Sequence, residues 1–195
     1  MIDELRTERL VLRPLSLDHA DEYHRVYSDP RTWDHHPSGR HTSREESKRA
    51  IRRSIDSLGR YGFSHCAITL RDDVEGLTAG SFLGSAGAAM LEFGAWNLGY
   101  RFSPEAWGRG FATEAAAAAL DAARRAQPEV PVTARVLATN SASVRVLERL
   151  DVELVWRGLS ADAPAYRGDT AHLERLIFAD RSIDAATLDA VIALG

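Results

Sequence analysis

The run Tyr100–Leu120, YRFSPEAWGRGFATEAAAAAL, constrains this chain more than any other stretch. A strand-like segment stops at Pro104, a glycine-flanked arginine follows, and an alanine-rich helix opens at about residue 110. The first amides of a helix have no partner inside it, and the helix dipole adds partial positive charge there. Gly108 and Gly110 let an anion approach the backbone without Cβ obstruction, and Arg109 can add a formal charge. Arg124 and Arg125 suit the negative pole at the other end. The run Ala115–Ala119 keeps the helix slim enough to lie close against a sheet. An ordinary glycine turn ahead of a surface helix fits the same residues, so both readings stay open. Two phosphate loops do not fit. A P-loop needs Lys-Ser or Lys-Thr, which the chain lacks, and a dinucleotide fingerprint needs Gly or Ala where Thr113 stands.

Around this run the pattern predicts an ordered set of elements. Leu10–Arg13 reads as a strand closed by Pro14, and Ser16 caps a helix over Leu17–Ser28 that ends at Asp29-Pro30. Residues 31–42 form a polar loop. Ser43 and Glu46 make a capping box for a second helix, with Ile51, Ile55 and Leu58 as its inward stripe and Gly59 as its end. Phe63–Leu70, Ser81–Leu91 and Ala95–Phe102 read as three strands of an antiparallel meander. The alanine-rich helix at 110–126 is followed by a strand at 130–138, a helix at 141–150, strands near 153–158 and 171–178, and a terminal amphipathic helix. The order β-α-α-β-β-β-α-β-α-β-β plus that last helix is an α+β, mixed α/β arrangement. It implies one curved mixed sheet flanked by helices, in a single domain over 1–195 with 181–195 as a helical extension.

Composition narrows the function classes. With 195 residues and 45% hydrophobic content, one core is affordable by size. A net charge of −4 gives no support to a nucleic-acid partner. Cys66 is the single cysteine, which suits a reducing cytoplasm. The start MIDELRTERL is acidic and lacks the apolar core of a signal peptide, and no run reaches the roughly 20 apolar residues of a membrane span. A cytoplasmic protein with no membrane partner is expected. The stretch Arg44–Arg53 carries five basic residues beside Glu45 and Glu46, and reads as a solvated helix face.

LGYRFSPEAWGRGFATEA resembles the acetyl-CoA-binding segment of the GNAT acetyltransferase superfamily, and most of all its RimJ/RimL-like branch. The family turn Q/R-x-x-G-x-G/A falls on Trp107–Ala112, with Trp107 in the place of Gln/Arg and Gly110 and Ala112 at the fourth and sixth positions. ATNSASVRVLERL resembles a second family signature, with Asn140 and Ser143 in its places and Asp151-Val152 where Gly-Phe is expected. TERLVLRPLSLDHADEY resembles the branch's opening strand and first helix. The likeness spans about residues 7–178.

The resemblance implies an acetyl-CoA-dependent N-acetyltransferase that passes an acetyl group directly to a primary amine, either a protein or peptide N-terminus or a small molecule. It implies that Leu98, Tyr100 and Phe102 pair with the pantetheine through their backbone. The turn Arg109, Gly110, Phe111, Ala112 and Thr113 would take the pyrophosphate, and Asn140 and Ser143 would face the pantetheine near the sulfur. Backbone donors near Leu98 would hold the oxyanion. Family members often place a tyrosine acid where Leu147 stands and a glutamate base where Asn97 stands, which leaves Ser143, Asn97 and His172 as catalytic candidates. An α-amine, with a reference pKa near 8, is neutral often enough to need little help from a base. His35, His36 and His41 lie in the loop expected to border the acceptor, and Trp33 is a candidate to line its pocket. Either His65 or Cys66 should point inward, and Cys66 has no motif of an acyl-carrying nucleophile. No metal site is indicated. A non-catalytic acyl-CoA-binding module and a transferase of larger acyl groups, such as succinyl, are the competing readings. A monomer and a homodimer are both compatible with the chain.

Overall fold

Strand alternation and glycine placement determine the architecture of the computed structural model, which describes residues 3–159 and 173–194. Its elements are β1 (Leu5–Arg6), β2 (Leu10–Pro14), α1 (Ala20–Ser28), α2 (Arg44–Tyr61), β3 (Cys66–Leu70), β4 (Phe82–Met90), β5 (Trp96–Phe102), α3 (Phe111–Ala126), β6 (Val132–Leu137), α4 (Ser141–Leu147), β7 (Glu153–Gly158), β8 (Arg175–Ala179) and α5 (Ala185–Ala193). The expected succession holds, with β1 added. At two residues β1 is too short to show alternation, and it forms a hairpin with β2 through Leu5↔Leu12.

The eight strands form one open mixed sheet in the order β1-β2-β3-β4-β5-β6-β8-β7. All neighbours run antiparallel except β5 and β6, which are parallel and joined by the crossover helix α3. The small side chains of α3 have a packing role: Ala115, Ala116, Ala119, Ala122 and Ala123 are all 0% exposed. They bring the helix close to Trp96, Leu98 and Phe102 of β5 and to Val132 and Val136 of β6. A second apolar cluster, Leu15, Tyr23, Val26, Ile51, Ala67 and Phe82, seats α1 and α2. Val191, fully buried, anchors α5, whose first turn is capped by Asp184.

Two expectations for α2 are corrected. Its Ser43–Glu46 capping box forms, but the helix passes through Gly59 and ends at Gly62. Gly62 is the residue that adopts the left-handed conformation, at φ 81°, and its amide bonds to the Leu58 carbonyl. Ile55 is 39% exposed. The inward stripe runs instead through Ser47, Ile51 and Ser54, because both serines satisfy their hydroxyls internally. Ser47 Oγ meets His24 Nδ1 at 3.0 Å and His41 Nδ1 at 2.9 Å, and Ser54 Oγ donates to the His65 carbonyl at 3.1 Å. A hydroxyl with a partner is cheap to bury, and a hydrophobicity pattern does not register it. The first helix is likewise shorter than expected. Leu17–His19 is a 3₁₀ turn closed by the Ser16 amide donating to His19 Nδ1 at 3.0 Å. Of the strand expected near 171–178, residues 175–179 form β8, and 171 and 172 lie outside the described residues.

Candidate functional site

A site forms where the parallel pair comes apart. The Trp96 amide donates to the Pro131 carbonyl at 2.8 Å, which directs the N–H and C=O groups of 96, 98, 100 and 102 toward β6. The pairing lasts only through Trp96↔Val132 and Asn97↔Thr133. Beyond it, β6 continues with β8 as far as Leu137↔Arg175. The Leu98–Phe102 edge of β5 therefore faces a gap. The N-terminus of α4 forms the opposite wall, where Asn140 Oδ1 caps the helix by accepting from the Ser143 amide at 3.2 Å.

Two cavities occupy this gap. One, of about 370 Å³, runs from Phe102 to the start of α3. The other, of about 230 Å³, lies between β5 and β6. They meet at His35, Tyr100, Arg101, Asn140 and Ser143, and so form one cleft.

The glycine turn closes the larger end. Gly108 and Gly110 are left-handed, at φ 74° and 79°, and Gly110 is the N-cap of α3 with no side chain to satisfy the first helical amides. Gly108, Gly110, Phe111, Ala112 and Thr113 line the cavity, and Arg109 does not. Its Nη2 lies 3.8 Å from where a Cβ on Gly76 would stand, away from the cleft. The Arg109 carbonyl is instead held by Arg9 Nη1 at 2.8 Å. Arg9 also stacks over the Phe111 ring at 4.8 Å and bonds to Glu114 through its amide and Nε. Formal positive charge at this end comes from Arg31, Arg145 and Arg149. The indole of Trp107 donates to the Phe102 carbonyl at 2.9 Å and so covers the end of the β5 edge.

The smaller cavity has a different character. Asn97, Gly99 and Arg101 on β5, Arg135 on β6 and Arg175 on β8 share one face of the sheet through the registers Asn97↔Thr133, Arg135↔Ile177 and Leu137↔Arg175. Arg101 lies 3.3 Å above the Trp33 ring centroid and donates to the Thr32 carbonyl. Trp33 is buried beneath it, with its indole nitrogen on the Tyr27 carbonyl at 2.7 Å. It supports Arg101 and does not line the pocket, as the sequence had suggested.

The profile of the family described as the acetyltransferase (GNAT) domain matches residues 9–153. The chain belongs to the GNAT family. It is an N-acyltransferase. Solved GNAT structures share its fold. An acetyltransferase from Agrobacterium tumefaciens is 26% identical, with a TM-score of 0.69 over 93% of this chain and 96% of that one. An acetyltransferase from Salmonella typhimurium that modifies the N-terminal serine of ribosomal protein L7/L12 is 18% identical, with a TM-score of 0.68 over 91% and 97%. RimL in complex with coenzyme A is 19% identical, with a TM-score of 0.70 over 92% and 97%. No curated protein matches the chain in sequence.

Within this GNAT domain, most of the residues singled out in the sequence are brought to the cleft. Leu98, Tyr100, Asn140 and Ser143 line the smaller cavity, and Phe102 lines the larger. Asn97 lines the smaller cavity, with its Oδ1 accepting from Arg135 Nε at 3.4 Å. Leu147, where many GNAT members carry a tyrosine, is a buried apolar wall. His172 lies outside the described residues. The Tyr100 side chain also lines the cleft, which strand reasoning missed. Its hydroxyl donates to the Ser143 carbonyl at 3.1 Å, and burial pushes the phenol up to about 12. His35 and His36 reach the smaller cavity. Burial, reinforced by Arg101, pushes the His35 imidazole down to about 4, so it is neutral at pH 7 and a weak base. His41 sits on Ser47 instead. Cys66 is buried and His65 half-buried; burial pushes the imidazole down to about 4 and the thiol up to about 12. Among the described residues no group of three or more His, Cys, Asp and Glu could hold a metal, and no helix is long and apolar enough to cross a membrane.

Proposed function

We propose that the chain is an acetyl-CoA-dependent N-acetyltransferase of the RimJ/RimL-like branch, acting on a primary amine. The parting of β5 from β6 beside the Gly108–Thr113 turn carries this reading. It leaves an extended edge for pantetheine next to free helix amides for a pyrophosphate. The likeness to RimL and to the Salmonella enzyme supports the branch.

In this reading the pyrophosphate rests on the amides of Gly110, Phe111, Ala112 and Thr113, with Arg145 and Arg149 adding charge, and Arg109 contributes through its backbone. Pantetheine pairs with the backbone at Leu98, Tyr100 and Phe102. The acceptor amine enters through the smaller cavity and attacks the thioester carbonyl. A C–N bond forms, the C–S bond breaks, and the proton lost by nitrogen passes to solvent. Backbone donors of the β5 edge steady the developing oxyanion, a contribution of roughly 3–4 kcal/mol per donor in other enzymes. A phenol near 12 does not release its proton to a thiolate of ordinary pKa near 8.5, so Tyr100 keeps its hydrogen bond to the Ser143 carbonyl and water returns the proton. Ser143 borders the sulfur with its hydroxyl, Asn97 orients the amine as an acceptor of hydrogen bonds, and His172 remains a catalytic candidate from the sequence.

Calorimetry with acetyl-CoA tests the first step. The wild-type protein should bind, and Gly110→Glu, which sets a carboxylate against the pyrophosphate, should abolish binding. Equal affinity in the two proteins refutes this placement.

A further inference from the structure

Gly87 and Gly99 face each other across β4 and β5, on the side of the sheet that carries Asn97 and Arg101. Packing demands the first of them. A Cβ on Gly87 would stand 2.3 Å from the His65 Cα and 2.5 Å from the Ser64 carbonyl oxygen, so the backbone of 64–65 crosses the sheet at this point. The Leu15 amide and the Ser54 hydroxyl hold it there, donating to the His65 carbonyl at 3.3 and 3.1 Å. Packing makes no such demand of Gly99. A Cβ there would meet only His65 Nε2, at an ordinary contact distance of 3.5 Å. Gly99 also lines the smaller cavity, between Leu98 and Tyr100 of the β5 edge. Its missing side chain is all that separates the imidazole from that cavity. The ring is half-buried, and neither of its nitrogens has a hydrogen-bond partner among the described residues. Polar groups withdrawn from water are nearly always paired, and an unpaired one beside a reaction site calls for a function.

We propose that His65 is the general base of the transfer, its Nε2 taking the proton of the acceptor nitrogen across Gly99, directly or through one water. This rests on the transferase reading above and gives the proton its first stop on the way to solvent. The nitrogen lone pair forms the C–N bond, the N–H pair returns to nitrogen as the proton moves to Nε2, and the C–S bond breaks. The imidazolium then releases the proton to water. Burial keeps the ring neutral at pH 7, so the nitrogen is free to accept. A ring at about 4 would not strip a free ammonium. The attacking nitrogen is a stronger acid, because its lone pair is committed to carbon, and the oxyanion forming beside it favours the charged imidazolium. His35 reaches the same cavity but suits this role less, since Arg101 and His36 add positive charge to the effect of burial. On His65 burial acts alone. The site thus gains from β3 the base that Asn97 does not supply on β5.

The full chain, saturated with acetyl-CoA, is assayed for thiol release with serinamide and with hydroxylamine as acceptors. His65→Gln keeps a polar side chain of similar size that cannot take the proton. It should lower kcat by about a hundredfold, the lower end of what a general base contributes, with little change in KM for the acceptor. His65→Ala should lose as much, and free imidazole should restore part of its rate while leaving the wild type unchanged. His35→Gln should lose less than about tenfold. Acetyl-CoA calorimetry and a melting curve establish that each variant is folded. The assignment of His65 is overturned, with the donor site left standing, by any of three results: a kcat for His65→Gln within about threefold of wild type, no rescue of His65→Ala by imidazole, or acetyl-CoA binding without turnover of either acceptor. Failure of the wild type to bind acetyl-CoA overturns the transferase reading itself.

Discussion

Arg9 and Glu114 lie 105 residues apart in sequence and are bound to each other at three points. The Arg9 amide donates to Glu114 Oε1 at 2.8 Å, while Nε and Nη2 both reach Oε2 at 2.7 Å. Thr7 Oγ1 adds a fourth contact to the same carboxylate at 2.6 Å. The remaining arm of Arg9 holds the Arg109 carbonyl, so the glycine turn is tied to the first long strand of the sheet.

Replacing Arg9 with Met should therefore affect both stability and donor affinity. The Glu114 side chain is 16% exposed and Arg9 is 39% exposed, so solvent screens part of the pair. The expected loss is about 1–2 kcal/mol in urea unfolding, below the full value of a buried charged hydrogen bond. Acetyl-CoA affinity should fall several-fold as the turn loosens. Loss of stability with unchanged affinity would separate the tie from the turn.

The same carboxylate gives a pH dependence. Burial raises the Glu114 carboxyl, but the Thr7 hydroxyl and the Arg9 amide and guanidinium outweigh it and hold the group below the ordinary carboxylate range. Its contribution is complete above the unfolded value near 4.3 and is lost as pH falls through the lower folded value. Glu114→Gln should be less stable than wild type at pH 7, and the two unfolding curves should converge as pH drops below about 4. Parallel curves down to pH 3 would contradict the assignment.

Three histidines act in a higher window. His35, His41 and His65 are each pushed down to about 4, chiefly by burial, so the folded protein keeps them neutral. Unfolding lets them take protons at about 6.5. Their stabilisation is full above pH 6.5 and declines progressively from there toward pH 4. Imidazole proton shifts recorded against pH should show three rings that do not titrate between 7 and 5. A midpoint near 6.5 for His65 would show that its packing does not hold the ring neutral.

Cys66 should be inert in the native protein. It is 2% exposed, and burial pushes its thiol up to about 12. An aromatic disulfide reagent at pH 8 should titrate no thiol until denaturant is added, and one thiol afterwards. Fast reaction without denaturant would reopen the acyl-carrier role, for which the chain holds no motif.

How much of this was legible in the sequence depends on how locally each feature is encoded. The Ser43–Glu46 box and the turn before α3 are written within a few residues, and both were readable. Gly59 and Gly62 are three residues apart, and only the path of the backbone reveals which one must turn left-handed. Buried Ser47 and Ser54 misdirect a hydrophobic pattern because their partners, His24, His41 and His65, come from other elements. Arg9 lies just ahead of the strand read at Leu10–Arg13 and carried no signal of its own, since its partner Glu114 is 105 residues away. Arg135 and Arg175 converge only through the register of β6 with β8, and alternation within one strand does not disclose its neighbour.

The two rungs that join β5 to β6 carry a last consequence. A sheet with so short a seam is two panels, and α3 is the strap that links them. A donor lying along Leu98–Phe102, as proposed, supplies the rungs that the seam lacks. Hydrogen exchange at the Tyr100 and Phe102 amides would slow on binding, and the melting temperature would climb with donor concentration. The enzyme would then reach its most durable form only while charged with the molecule it consumes.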